Sequence, residues 1–216
     1  MHKLVAATLS VAKSQAGVTE VGHNGGPQVT AYLRATGLPA GNPWCAAFVA
    51  WCIGQAEAQT GVKCPLPKSA SCDVLLEWGR KRGLLKNSPQ PGDLFLRLES
   101  PTDAVHTGFV TGVPAAGSFT TMEGNTNAAG GREGVMVRSH TRVVTPGGYA
   151  FLRWEEALPE DVHATAAMRA MYSERIHPHL QALYAELPAL LEGAAEREAL
   201  AQLNDLNRVL VKAGVK

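Results

Sequence analysis

The sequence predicts an α+β protein in which helices come first and an antiparallel sheet follows. Three observations predict it. Apolar residues recur at helical spacing up to about residue 82. From Pro91-Gly92-Asp93 onward the pattern changes to short runs rich in β-formers. Gly- and Pro-containing turns separate those runs and leave no room for crossover helices, which favours a meander. At 216 residues the chain holds one substantial core and a modest extension.

The elements run in order. Leu4, Ala7 and Val11, with Val5, Leu9 and Ala12, set a helical stripe over 2–16 that Gly17 ends. We read this stretch as an amphipathic first helix rather than a cleaved leader, because it runs without a break into Lys13, Ser14 and Gln15. A polar loop, Gly22 to Pro27, precedes a short helix over 28–36. Asn42-Pro43 then reads as an N-cap followed by proline at the first helical position. The helix after it, 43–59, is apolar on nearly every face through Ile53, as a central buried helix is. Ser69 or Ser71 starts a further helix, with Val74, Leu75 and Trp78 inward and Gly83 at its end. Strands are expected at 94–96, 107–113, 118–122, 134–140 and 149–154. After Pro159 the chain turns rich in Ala, Leu and Glu, interrupted by Pro178 and Pro188, which reads as two or three helices. The expected organisation is a main domain over 1–157 and an α-helical extension over 158–216.

Charge and composition exclude several classes. Residues 1–154 carry 14 Lys/Arg against 9 Asp/Glu, and the remainder 6 against 10, so the front is mildly basic and the tail mildly acidic. No basic run with interleaved aromatics appears, so nucleic acid is set aside. No apolar stretch approaches a membrane span, so no membrane insertion is expected. No Cys/His spacing resembles a zinc site, and no cofactor is expected. Cys52 reads as a small buried hydrophobe. Cys64 and Cys72 flank a proline-containing loop and are candidates for a disulfide in an oxidising compartment.

The candidate chemistry begins at Cys45. Near the third position of its helix, its thiolate is favoured by the unpaired N–H groups and the helix dipole. Among the seven histidines, His106 is singled out by its place at the head of a strand, from which an imidazole can be aimed rigidly. Glu123 and Asn125 close the next strand, one residue apart. Period-2 alternation puts both on one face, with Gly124 leaving room between them, and either is able to hold the imidazole tautomer. Gly-Asn-Thr-Asn is also good turn sequence.

Four motifs in order then carry a resemblance: Asn42 to Cys52 (NPWCAAFVAWC), Gln90 to Leu94 (QPGDL), Val105 to Val110 (VHTGFV) and Glu123 to Thr126 (EGNT). Together they resemble the CHAP family, cysteine, histidine-dependent amidohydrolases/peptidases with a papain-like, NlpC/P60-related fold. The similarity covers roughly 2–155. It implies N-terminal helices on an antiparallel sheet of five to six strands, with Cys45 as nucleophile, His106 as general base and Glu123 as the group orienting it. Asn125 is then a supporting polar group, or the orienting group if Glu123 points elsewhere. The stretch from Ser14-Gln15 to Glu20, and Tyr32-Leu33, also resemble the leader of CHAP-type wall hydrolases.

The resemblance implies an amide of peptidoglycan as substrate, either N-acetylmuramoyl-L-alanine or a stem-peptide bond. It also implies action in the periplasm or on the wall, as a phage endolysin or an effector injected by a type VI secretion system. The C-terminal helices are expected to be an extension packing on the main domain, with dimerisation or docking of an immunity or delivery partner as the alternatives. Alternatives are an amidase or acyltransferase on another amide, and an inactive wall-binding module. From placement alone, Trp44, Asn24, Gly25 and its neighbour Gly26 are expected to line the substrate groove, and Asn42 or Gln28 to add an oxyanion donor. Some phage members bind calcium through Asp residues before the nucleophile. This chain has no Asp before Asp73 and no acid between Glu20 and Glu57, so no metal is expected.

Overall fold

In a computed structural model of the chain, which describes residues 1–131 and 133–159, four helices pack on one six-stranded antiparallel sheet. The helices are α1 (Lys3–Ser14), α2 (Pro27–Arg34), α3 (Cys45–Thr60) and α4 (Cys72–Lys81). The strands are β1 (Leu85–Lys86), β2 (Leu94–Ser100), β3 (Asp103–Ala115), β4 (Ser118–Thr126), β5 (Met136–Val143) and β6 (Tyr149–Leu152). Their order across the sheet is β1-β6-β2-β3-β4-β5. The expected C-terminal helices lie outside the described residues. Among the described residues no helix is long and apolar enough to cross a membrane.

Helix α3 is the centre of the core, as its all-round apolar sequence requires. Ala46, Ala47, Phe48, Val49, Cys52, Ile53 and Ala56 are buried. Tyr32 of α2 ties the helix layer together, stacking on Trp44 at 5.6 Å and meeting Phe48 and Trp51 edge-on. Its hydroxyl donates to Gln15 Oε1 (2.9 Å), which gives the sequence-adjacent polar residues of the first loop a structural role. The sheet alternates as a two-sided sheet should. Leu94, Leu96, Phe109, Met122 and Leu152 join the helix-side core, while Phe95, Val110, Phe119 and Phe151 form a second, aromatic cluster.

The turn at Gln90-Pro91-Gly92-Asp93 is a structural clasp. The Gly92 N–H donates to Val110 O, and Gly92 O accepts from the Trp154 indole at 2.8 Å. Gly92 has φ +100°, and a Cβ there would stand 2.5 Å from Val5 Cγ1, so only glycine fits. Asp93 accepts from the Gln90 N–H and, through both oxygens, from the Arg153 guanidinium.

Two local expectations change. Helix α3 begins at Cys45, with Trp44 as its N-cap residue, so the thiol occupies the first helical position instead of the third. Asn42 does not cap it; its amide donates back to Pro39 O at 3.0 Å. Val74 points outward on α4, 43% exposed, while Leu75 and Leu76 are buried; Ser71 supplies the N-cap through Val74 N–H.

Candidate active site

The start of α3 presents Cys45, 7% exposed, toward the bulged end of β3 that carries the fully buried His106. The imidazole is held from one side. Its Nε2 lies 2.8 Å from Glu123 Oε2. An ionised carboxylate only accepts, so Nε2 carries a proton and Nδ1 is the nitrogen left to exchange one. Nδ1 is buried without a hydrogen-bond partner, which leaves it for the thiol.

Thiol and imidazole shift one another. The hydrogen bond from Cys72 and then the neighbouring His106 hold the Cys45 thiol well below its ordinary value, against the opposing effect of burial. Burial disfavours the His106 cation, but the neighbouring Cys45 thiol and the bond to Glu123 outweigh it and raise the imidazole above its usual value. Both shifts act in the direction that favours the thiolate–imidazolium form of the pair.

Glu123 is the most constrained side chain of the site. It is fully buried, and burial alone would raise its pKa. Arg142 reverses that with two bonds of 2.6 Å, from Nε to Oε1 and from Nη2 to Oε2, and His106 adds to it. The carboxyl falls to about 2. Thr121 also donates to Oε1 at 2.5 Å. Arg142 lies over the Phe95 ring at 5.2 Å, and Phe95 in turn stands 5.8 Å from the His106 ring. Gly108 makes space for the arrangement, since a Cβ there would stand 3.0 Å from Glu123 Cγ and 2.7 Å from Met122 O.

Asn125 does a different job from Glu123. It has φ +55°, and the β4–β5 register shifts between Glu123 and Thr126, so the expected shared face is broken. With its amide oriented so that both atoms are paired, Nδ2 donates to Gly134 O (2.6 Å) and Oδ1 accepts from the Trp44 N–H (3.2 Å). It thus caps α3 from another strand. Gly124 lets the strand approach, because a Cβ there would stand 2.7 Å from Phe48 Cβ.

The residues expected in a groove are mostly structural. Trp44 is fully buried, with its indole donating to Glu20 Oε2 at 3.2 Å. Asn24, 5% exposed, accepts the Gly41 N–H on its carbonyl. Gly25 is buried and its carbonyl accepts the Val21 N–H. A Cβ on Gly26 would crowd Val21. Gln28 donates to Gln15 Oε1 at 3.1 Å, and Asn42 is turned to Pro39. None of these polar groups is hydrogen-bonded to Cys45 or His106. Among the described residues no group of three or more His, Cys, Asp or Glu side chains is placed to hold a metal ion.

Sequence reasoning passed over Cys72 and Arg142. None of the four cysteines is bridged, and Cys72 meets Cys45, not Cys64, with their sulfurs 3.8 Å apart. Asp73 fixes that placement by accepting the Ala104 N–H at 2.7 Å, tying the start of α4 to the strand that carries His106. Cys64 is held elsewhere, its N–H donating to the buried Glu57. For Arg142 one signal was present: Arg138, His140 and Arg142 alternate along β5, so they share a face beside β4.

The family model described as CHAP domain matches residues 37–125, a span that contains Cys45, His106, Glu123 and Asn125. That stretch of the chain is similar to the CHAP domain family. That match takes in the four motifs on which the resemblance rested, short only of Thr126, and the α+β fold is the one expected of it. No curated protein matches the chain. Solved structures similar to it are NlpC/P60 domain proteins. One is RipD from Mycobacterium tuberculosis, described as a non-catalytic NlpC/p60 domain protein adapted to peptidoglycan binding. It is 15% identical, with 70% of this chain and 98% of that one covered and a TM-score of 0.38. Another is the P60 domain of an antigen of M. avium subspecies paratuberculosis, 17% identical, with 69% and 93% covered and a TM-score of 0.39.

Proposed function

We propose that this CHAP-like domain is a peptidoglycan hydrolase that uses Cys45 as nucleophile on an amide bond of the wall. The observation that carries the reading is the relay from Arg142 through Glu123 and His106 to Cys45. Arg142 holds Glu123, Glu123 holds His106, and the imidazole nitrogen not engaged by Glu123 is unpaired. A binding module has no need of a buried thiol held ionised.

The chemistry comes from those positions. Cys45 thiolate attacks the amide carbonyl, and the oxyanion is received by N–H groups in the first turn of α3, which have no acceptor inside the helix. His106, protonated at Nδ1, gives that proton to the leaving amine. It then draws a proton from the water that hydrolyses the thioester. Glu123 keeps the ring in register and stabilises the imidazolium, while Arg142 keeps Glu123 ionised. The bond cut is either N-acetylmuramoyl-L-alanine or one within the stem peptide. The enzyme acts on the wall, delivered as an endolysin or as an injected effector.

Purified sacculi incubated with the full chain test this. Turbidity should fall, and mass spectrometry of the released muropeptides identifies the bond. Cys45→Ala should lower the rate by about 10³-fold or more. Clearing that persists in the variant refutes Cys45 as nucleophile, and binding without any cleavage by the unaltered protein refutes the hydrolase reading.

A further inference from the structure

Hydrolysis needs one thiol, and this site holds two. Cys45 is the first residue of α3 and Cys72 the first of α4, so two helix N-termini meet with their sulfurs 3.8 Å apart. A disulfide needs about 2.05 Å, so closure asks for an approach of about 1.8 Å shared by two side-chain rotations. The helix ends that carry the sulfurs are fixed where they stand. Asn125 holds the Trp44 N–H, Asp73 holds Ala104, and Ser71 caps Val74. Each of the two cysteines keeps 7% of its surface exposed, which gives a small oxidant access without opening the core. The other thiols compete poorly. Cys52 is fully buried two helical turns further along α3, roughly 10 Å away along the axis. Cys64 lies on the segment anchored to Glu57, and its thiol is pushed up to about 12 by burial.

We infer that Cys45 and Cys72 form a reversible oxidative modification site, in which a hydroperoxide oxidises Cys45 and Cys72 resolves it to an intramolecular disulfide. In the first step the Cys45 thiolate attacks one peroxide oxygen. The O–O bond breaks, the departing hydroxide takes up a proton to become water, and Cys45 is left as a sulfenic acid. In the second step the Cys72 sulfur attacks the Cys45 sulfur and expels hydroxide, which leaves as water with the Cys72 proton. Two thiols and one hydrogen peroxide thus give one disulfide and two waters, with two electrons passing from sulfur to peroxide. The product removes the nucleophile reversibly and keeps it from irreversible oxidation to the sulfinic acid. The loss of activity rests on the hydrolase reading, whereas bond formation rests on the geometry of the pair alone.

The full chain, reduced and then treated with hydrogen peroxide, is alkylated, digested and mapped by mass spectrometry. The reactive thiols of the denatured protein should fall from four to two. A linked peptide pair joining Cys45 to Cys72 should appear, two hydrogens lighter than its parts. Cleavage of sacculi should fall roughly tenfold or more and return with dithiothreitol. In Cys72→Ala the same treatment should carry Cys45 to the sulfinic acid, with no return. The peptide map of the unaltered protein decides the matter even where the variant fails to fold. Cys45 found as sulfinic acid there, or linked to Cys52, Cys64 or a second chain, overturns the proposal. A Cys45–Cys72 link in a protein that never cleaves sacculi upholds the pair and refutes the hydrolase reading. Cleavage without the link does the reverse.

Discussion

Replacing Arg142 by methionine tests the electrostatic logic of the site. The substitution keeps an unbranched side chain over Phe95 but removes both 2.6 Å bonds to Glu123. Glu123 is fully buried, and its carboxyl lies at about 2 against an ordinary 4.5. A depressed acid contributes stability above its unfolded value and loses it as pH falls toward its folded one. The gap from 4.5 to about 2 corresponds to about 3 kcal/mol at pH 7, of which about 1 kcal/mol remains at pH 3. Without the guanidinium, Glu123 moves back up toward 4.5, because His106 alone then opposes burial. The expected loss at pH 7 is therefore about 3 kcal/mol, at the lower edge of the cost of breaking a buried ion pair. For a chain of this size that lowers the melting temperature by roughly 6–12 °C, shrinking to roughly 2–4 °C at pH 3. Tryptophan fluorescence is a suitable probe, since Trp44, Trp51, Trp78 and Trp154 all lie within the described domain. A gap between parent and variant as wide at pH 3 as at pH 7 refutes the assignment of Arg142 to Glu123 ionisation.

Two further outcomes separate roles within the site. Cys72 is the leading cause of the low Cys45 pKa, so Cys72→Ala should move the acid limb of the kcat/KM profile to higher pH and leave the alkaline limb in place; an unmoved acid limb counts against that role. Asn125→Gly keeps the positive φ but leaves Trp44 N–H and Gly134 O unpaired. It should cost about 1–3 kcal/mol in urea unfolding while both limbs of the profile stay where they are; a shifted limb would return Asn125 to the imidazole.

Much of this site is legible in sequence because nucleophile chemistry uses rare residue types at punctuated places. A cysteine at a helix start after Asn-Pro, a histidine heading a strand and a carboxylate at the end of the next strand stand out singly, and the sheet then brings them together. The residues that escape notice act through sheet register and helix packing. Arg142 reaches Glu123 across 19 residues and Cys72 reaches Cys45 across 27, and no periodicity within either segment encodes those distances. Helix boundaries show the same division. Asn42-Pro43 has the local chemistry of a helix start, yet the helix begins at Cys45, where the N–H of the N-cap residue Trp44 finds its acceptor on Asn125. The tertiary cap overrides the local one, and the thiol gains from it. At the first helical position it sits closer to the positive end of the dipole than at the third.

The same placement ties reactivity to vulnerability. A thiol whose thiolate is favoured by a neighbouring thiol and an imidazole is suited to attack carbonyl carbon and peroxide oxygen alike, since both reactions use the thiolate. Selectivity between them must then come from access and from the group that completes each reaction. Access is narrow, at 7% of the Cys45 surface, and favours an extended peptide or a small solute over bulky electrophiles. The completing groups sit on different elements, His106 on β3 and Cys72 on α4. On the proposed hydrolase reading His106 finishes the acyl reaction by giving a proton to the amine, and it is held by Glu123. Cys72 finishes the oxidative one, and it stands on the α4 side. On this reading Asp73 joins the two fates, because its bond to Ala104 fixes the α4 helix start and the His106 strand against each other. Lengthening that contact weakens proton delivery and disulfide closure together, whereas a change at Arg142 touches the first alone.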